Sequence, residues 1–229
     1  AKARSKRTRP HTDDKVIVAW NGLMIGALSK AYQVFGDDNY LHAAQKAAAF
    51  IRTELWDPKQ GLKRYWRDGG SKNPGVLDDY AFLIDGLLEL FQADSDPTWF
   101  NWAQEVQSVQ DRLFWSDKEE VYYYSDRDQP IKIKDFEDSA LPSGISMSAF
   151  NLLRFSSFTT DEATRERALT ILKNMMSKMT RAPMYYPNML MAMEYAQSRP
   201  KEVIVLESPT NLETMMAINS EFQPNKVQL

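Results

Sequence analysis

The 229-residue chain contains no cysteine and only two histidines. The missing cysteine excludes a disulfide, a thiol nucleophile and a thiolate metal site within these residues. His11 and His42 lie far apart in the sequence, and His42 falls on a polar helical segment where solvent exposure is expected. A metal site formed by two histidines is therefore not expected, and we predict neither a bound metal ion nor a cofactor.

The chain also lacks a long apolar run and a strong charge of either sign. No segment approaches the roughly 20 apolar residues that cross a bilayer, and no apolar signal core follows the basic residues 1–11. With 28 basic and 31 acidic side chains, the chain lacks the excess of positive charge that is typical of nucleic-acid-binding domains. We predict a soluble, cytoplasmic protein that binds neither nucleic acid nor membrane. The missing initial methionine suggests either a processed chain or a piece of a longer protein.

An internal repeat organises the chain. At an offset of 59 residues, WNGLMIGALSKAYQVF aligns with DYAFLIDGLLELFQAD, and a third, weaker copy begins at PSGISMSAFNLLRF. In each copy an apolar inner helix is followed by a turn rich in Asp, Asn, Pro or Thr and then by a more polar outer helix. Counting in this way predicts seven helices, of which the last, in YYPNMLMAMEYAQ, stands alone.

Short aromatic segments follow the first two outer helices at the same place in the repeat. GLKRYWRD and EVYYYSD are each typical of a β-strand or hairpin arm. Paired inner and outer helices form either an open solenoid or a closed ring, and such inserts favour the ring because they wall one of its mouths. We predict a mainly α fold, a partial (α/α)6 toroid of about three and a half hairpins over residues 1–199. A β-α-β tail is predicted over residues 200–229.

Several motifs resemble one family in order and spacing: RPHTDDKVIVAWNGLMIGALSKA, GVLDDYAFLIDGLLEL, DSALPSGISMSAFNLLRF, and EVIVLESP with PNKVQL near the end. They resemble the thioredoxin-domain protein family that includes the spermatogenesis-associated protein 20 group. The resemblance implies a toroid similar to those of six-hairpin glycosidases and N-acylglucosamine 2-epimerases. It further implies that the chain is a C-terminal fragment, with a thioredoxin-like domain and the remaining hairpins as its partners in a full-length parent.

The site is expected where the N-termini of the inner helices meet, because all inner helices of a toroid run the same way. Carboxylates there suit a polyhydroxylated ligand, aromatic faces cover sugar rings, and arginine forks hold an acidic group. The candidate catalytic residues are Asp79, Asp14 and Asp78. The candidate ligand-binding residues are His11, Asp13, Lys15, Trp20, Asn21, Arg64, Arg67, Tyr80, Asp138 and Ser143.

Structural roles compete with these functional ones. Asp78 is predicted as the N-cap of the second inner helix with Leu77 and Phe82 as a hydrophobic staple, and Asp79 as its first residue. Ser143 is predicted to cap the third inner helix. Because consecutive helical side chains diverge by about 100°, a second catalytic carboxylate would come from Asp13, Asp14 or Asp138.

Two functions therefore remain open. One is binding or processing of a sugar-like small molecule at the acidic and aromatic mouth, with a glycosidase-like or sugar-epimerase-like activity if the protein is an enzyme. The other is a noncatalytic helical scaffold that positions a thioredoxin-like domain or a partner protein. A partial ring also predicts inner-helix faces without partners, and hence aggregation or oligomerisation of the isolated chain.

Overall fold

The structure is a computed structural model that describes residues 2–9, 12–126, 128, 130, 133–198, 200–205, 211–221, 223 and 225–228. Helices dominate it, and a 3-10 turn at Pro183–Tyr185 precedes the eighth of them. The helices are α1 Lys2–Ser5, α2 Val18–Phe35, α3 Asp38–Glu54, α4 Leu77–Asp94, α5 Pro97–Phe114, α6 Gly144–Thr159, α7 Glu162–Arg181, α8 Pro187–Gln197 and α9 Asn211–Asn219.

Short strands occupy the loops between hairpins and the C-terminal segment. In the first insert, β3 pairs antiparallel with β1, β2 and β4, and in the second insert β5 pairs with β6, so both predicted inserts are confirmed as strands. The strands are β1 Val16–Ile17, β2 Trp56–Asp57, β3 Gly61–Arg67, β4 Gly70–Pro74, β5 Trp115–Ser116, β6 Val121–Tyr122, β7 Lys201–Val203 and β8 Lys226–Gln228.

The helices form two layers, as the repeat predicts. In the inner layer α2 packs on α4, α4 on α6 and α6 on α8, and the outer helices α3, α5 and α7 each pack on the inner helix that precedes them. Glycine permits the close approach of α2 to α4, because a Cβ on Gly22 would lie 2.5 Å from the Phe82 carbonyl carbon. The core lies between the layers and contains Trp102, Phe114 and Leu87, all fully buried. The α/α toroid class is thus confirmed in its partial form.

The C-terminal unit is the predicted β-α-β. Strand β7 pairs in parallel with β8, and α9 lies between them in the chain. The Gln228 backbone N–H donates to Oε1 of Gln92 on α4 at 3.0 Å, and α9 packs on α2, so the unit covers the C-terminal ends of the inner helices. The predicted boundary near residue 200 remains a prediction, and residues 206–210 of the predicted strand segment lie outside the described residues.

The start of α4 differs from its prediction. Its N-cap is Val76 and its first residue is Leu77, so Asp78 is the second helical residue and Asp79 the third. The Asp78 cap and the Leu77–Phe82 staple were therefore wrong. The N–H groups at this helix start find other acceptors: Asp79 reaches back to accept the Val76 N–H at 2.9 Å, and the Leu77 N–H donates to the Tyr124 carbonyl at 3.0 Å.

Part of α2 is largely exposed. Trp20 and Met24, one helical turn apart, are 60% and 55% exposed, whereas Phe35 at the end of the helix is 67% exposed but contacts the Tyr40 ring at 6.2 Å between ring centres. The exposure of Trp20 and Met24 agrees with the uncovered inner-helix face that a partial ring predicts. Within the described residues no helix combines the length and the apolar character needed to cross a bilayer.

Candidate functional site

The mouth is built from backbone amides and carboxylates. The first turn of each inner helix leaves N–H groups without helical partners, and the helix dipole places partial positive charge there. These are the conditions under which an acidic side chain is most favourably buried. Three of the predicted site acids, Asp78, Asp79 and Asp138, occupy such positions.

Asp79 joins the starts of α2 and α4. Its Oδ1 accepts the Ala19 N–H at 3.1 Å, its Oδ2 accepts the Val76 N–H, and only 1% of the residue is exposed. Burial nevertheless raises the pKa of Asp79 to about 6, against the opposing effect of these two hydrogen bonds and of the Arg64 charge. In contrast to the prediction, Asp79 does not face the mouth, because both of its oxygens point into the helix interface.

Asp138 performs the same task between α6 and α8. Its Oδ1 accepts the Ser143 N–H at 2.7 Å and the Ser146 hydroxyl at 2.6 Å, and its Oδ2 accepts the Asn188 N–H at 2.8 Å. The residue is only 6% exposed. Asp138 is therefore a tie between neighbouring helix N-termini, and its oxygens are committed to protein partners.

Asp78 lies between α4 and α6 and stays partly exposed. Its carboxylate accepts the backbone N–H of Gly144, and a Cβ at that glycine would lie 2.5 Å from Oδ1, so glycine is required for this approach. Burial is the main cause that raises the pKa of Asp78 to about 6; the nearby Asp135 charge adds to it, while the Gly144 hydrogen bond and Arg64 oppose it. A carboxyl group with this pKa exchanges a proton near neutral pH.

The three acids thus link the four inner helices in order. Asp79 connects α2 with α4, Asp78 connects α4 with α6, and Asp138 connects α6 with α8. These contacts confirm that the N-termini of the inner helices gather at one mouth. Only Asp78 combines such a tie with access to solvent, so it is the acid that geometry singles out at this mouth.

Two residues beside Asp78 were missed by sequence reasoning. The Tyr124 side chain forms a hydrogen bond with Arg64, and Asp135 lies close enough to raise the pKa of Asp78. The repeat offers a signal for the first, because Tyr124 occupies in the second insert the place that Tyr65 occupies in the first. Arg64 lies near both Asp79 and Asp78. Burial lowers the pKa of Arg64, but the Tyr124 hydrogen bond and the charges of Asp79 and Asp78 outweigh burial and raise it.

The remaining rim residues pair with one another. Lys15 Nζ lies 2.9 Å from Asp13 Oδ2, and Arg67 Nε lies 2.9 Å from Asp14 Oδ1, with both acids largely exposed. Asn21 donates its amide to the Ile17 carbonyl at 2.8 Å. Asp14 is thus held beside β3 by Arg67, and nothing among the described contacts brings it to Asp78.

Aromatic and hydroxyl candidates divide between the surface and the core. Trp20 exposes most of its side chain at the start of α2. Tyr80, in contrast to its prediction, is buried: its ring packs edge-on against Phe114, its hydroxyl accepts the Leu62 N–H at 2.7 Å, and burial raises its pKa to about 12. Ser143 is confirmed as the N-cap of α6, with its Oγ accepting the Ser146 N–H. His11 lies outside the described residues.

Known proteins match nearly the whole chain in sequence. The chain is 34% identical to spermatogenesis-associated protein 20 of Rattus norvegicus over 98% of its own length, and 34% identical to that of Homo sapiens. In sequence the chain is thus similar to one part of spermatogenesis-associated protein 20. It spans only about 30% of the length of these relatives. A family model described as the D-glucuronyl C5-epimerase C-terminus matches residues 19–129 of this chain.

Solved structures place the fold of the chain in the α/α toroid class. It resembles a family 76 α-mannanase of Bacteroides thetaiotaomicron with a TM-score of 0.59 and 15% identity, covering 75% of this chain and 47% of the mannanase. It also resembles the cellobiose 2-epimerase of Bacillus thermoamylovorans with a TM-score of 0.61 and 15% identity, covering 72% of this chain and 45% of the epimerase. At such identity the likeness concerns the fold alone. The fold is thus related to those of carbohydrate-processing enzymes.

Proposed function

We propose that the mouth binds a carbohydrate and that Asp78 exchanges a proton with it. The carrying observation is that Asp78, alone among the three acids of the mouth, is partly exposed while its pKa is raised to about 6. A group with this pKa can act as an acid and as a base near neutrality. Arg64 beside it would hold an acidic or hydroxyl group of the sugar, and the exposed face of Trp20 would cover a ring.

One structural neighbour supports the importance of an acidic doublet. A family 76 α-1,6-mannanase of Salegentibacter, with a TM-score of 0.56 and 12% identity to this chain, is described as inactive when two consecutive aspartates are replaced by alanine, and that variant is in complex with a mannotetraose. Asp78 and Asp79 are likewise consecutive. In this chain their carboxylates point to different helices, so we assign the proton exchange to Asp78 and the positioning of α2 against α4 to Asp79.

The test is binding of defined sugars to this chain by isothermal titration calorimetry, with α-1,6-mannobiose, cellobiose and methyl β-D-glucuronide as probes. We expect one of them to bind, and we expect Trp20→Ala and Asp78→Asn to weaken its affinity roughly tenfold, as the loss of one charge-assisted or stacking contact does. Glu105→Gln, an exposed acid on the outer helix α5, is the matched control. Binding that neither variant changes would exclude this mouth as the sugar site.

A noncatalytic scaffold is the second candidate function. It is supported by the carboxylate oxygens of Asp79 and Asp138, which accept hydrogen bonds from backbone amides of neighbouring helices. Residues that fix the packing of the helices are expected to make such contacts. The exposed face of α2, with Trp20 and Met24, would then receive further helices of a longer parent or the thioredoxin-like domain that the resemblance implies. A parent protein that binds none of the sugars, yet requires Trp20 for the association of its domains, would favour the scaffold.

A further inference from the structure

A cavity lies toward the C-terminal ends of the inner helices, on the side away from the mouth. It has a volume of about 490 Å³ and is lined by residues of α2, α4, α6 and α8 and of the C-terminal unit. Asp78 in the first turn of α4 and Glu89 in its second half are separated by about 16 Å along the helix axis. Between them, the buried side chains of Phe82 and Met147 form a separate apolar cluster, so the cavity is distinct from the mouth.

One wall of this cavity is a buried ion cluster. Arg154 lies 2.8 Å from both Asp85 Oδ1 and Glu89 Oε1, and Lys30 lies 3.3 Å from Glu89 Oε1. The Arg154 side chain is only 5% exposed. Two cations balance two anions here, so the cluster leaves no charge for a ligand and instead fixes the wall of the cavity.

Lys226 brings an additional positive charge to the opposite wall. It lies on β8, is half-buried, and contacts the amide oxygen of Asn219. Among the described residues no carboxylate lies within ion-pair distance of its Nζ. Burial lowers the pKa of Lys226, and the Glu89 charge opposes this effect. The charged form of Lys226 is therefore destabilised by burial, and a bound anion would stabilise it.

The rest of the lining combines amides with apolar rings. Gln33 presents its amide oxygen, because its Nε2 donates to the Glu89 carbonyl at 3.3 Å. Gln92 presents its amide N–H groups, because its Oε1 accepts the Gln228 N–H. Phe150 and Tyr195 pack edge-on against each other at 5.4 Å between ring centres. A volume of this size, with an apolar wall and a few converging polar groups, is typical of sites for small molecules. Glu221, the remaining acid of the lining, is exposed and forms no ion pair with Lys226 among the described contacts. Lys226 can therefore receive one negative charge inside the cavity, and carboxamides suit hydroxyl groups.

We propose that this cavity binds a small hydroxylated monocarboxylate, with Lys226 contacting the carboxylate and the carboxamides of Gln33 and Gln92 contacting the hydroxyls. The ligand rests against Phe150 and Tyr195. This site does not depend on the proposed carbohydrate function of the mouth. It would make the C-terminal unit a contributor of binding groups in addition to a cover for the inner helices.

The test is titration of this chain with sodium gluconate at low ionic strength, with uncharged sorbitol as the matched probe. We expect saturable gluconate binding, no binding of sorbitol at the same concentrations, and a loss of roughly tenfold or more in affinity in Lys226→Met. Lys226→Arg should retain most of the affinity because it restores the charge. Lys72→Met, on an exposed strand of the first insert, is the control.

Each contrary outcome overturns the proposal. Absent gluconate binding, or equal binding of sorbitol and gluconate, would show that the charge of Lys226 selects no ligand. Affinity unchanged in Lys226→Met, or lost in Arg64→Met at the mouth, would assign the binding elsewhere. Because Asp78→Asn and Trp20→Ala alter only the mouth, they should leave gluconate affinity unchanged whether or not the mouth binds sugars.

Discussion

The two ends of the inner helices stabilise buried carboxylates in different ways. At the mouth, Asp79 and Asp138 accept hydrogen bonds from backbone amides of neighbouring helices. Further along the helices, Asp85 and Glu89 are paired with the side chains of Arg154 and Lys30. The difference follows from the backbone, because free N–H groups exist only in the first turn of a helix. At Asp85 and Glu89 the backbone amides are already bonded within the helix, so a buried acid requires side-chain cations there.

At each end, the contrast separates the residues that hold the helices together from the residues that are candidates for function. An acid that is fully hydrogen-bonded to backbone amides fixes the spacing of the helices, and a neutral ion cluster fixes it in the same way at the other end. Two groups remain outside these structural sets. Asp78 at the mouth accepts one backbone N–H and is partly exposed, and Lys226 at the opposite end contacts one amide oxygen and lines the cavity. Asp78 and Lys226 are therefore the residues at each end to which we assign contacts with a ligand.

The largest expected effect is at the ion cluster. Arg154→Met should lower the free energy of unfolding by about 3–5 kcal/mol, because it leaves Asp85 and Glu89 buried without their shared cation. Urea unfolding followed by circular dichroism measures it, with exposed Arg181→Met as the control. Adding Asp85→Asn and Glu89→Gln to Arg154→Met should restore part of the loss. A loss below about 1 kcal/mol would mean that water already solvates the cluster.

The tie at the mouth should be nearly as costly to break. Asp79→Ala leaves the Ala19 and Val76 amides without acceptors, and each unsatisfied buried amide costs about 1–3 kcal/mol, so we expect a loss of about 2–4 kcal/mol. The same unfolding measurement applies, with the exposed first-turn acid Asp38→Ala as control. An unchanged midpoint would show that solvent or another group replaces the carboxylate at this interface.

Titration of Asp78 should have a smaller effect. Its folded pKa of about 6 exceeds the ordinary 3.8, so below about pH 4 both states hold the proton, and stability falls as the pH rises through 6 because the folded state resists ionisation. Asp78→Asn removes this loss. Its stability relative to the parent chain should therefore rise by about 1–2 kcal/mol between pH 4 and pH 7, allowing for partial exposure. A pH-independent difference would contradict the raised pKa.

The repeat in the sequence predicts most of the fold but not the roles of its acids. Helical periodicity and the offset of 59 residues locate the hairpins, the inserts and the common mouth, since these depend on local patterns. The partner of Asp79, by contrast, is the Ala19 amide 60 residues away, and that of Asp138 is the Asn188 amide 50 residues away. Such hydrogen bonds arise only when helices are packed, so sequence reasoning could locate the acids without separating Asp78 from Asp79.

The smallest expected effect compares two ways of starting an inner helix. Helix α6 begins with a serine that accepts its own first-turn N–H, whereas α4 begins at a valine whose N–H is taken by Asp79. Ser143→Ala should cost about 1 kcal/mol of unfolding free energy, and Ser143→Gly only a few tenths, because glycine is a tolerated N-cap. The Ser143 N–H donates to Asp138 in both variants, so this contact cancels. If Ser143→Ala costs as much as Asp79→Ala, the serine hydroxyl is part of the tie between α6 and α8, and the two helix starts are equivalent after all.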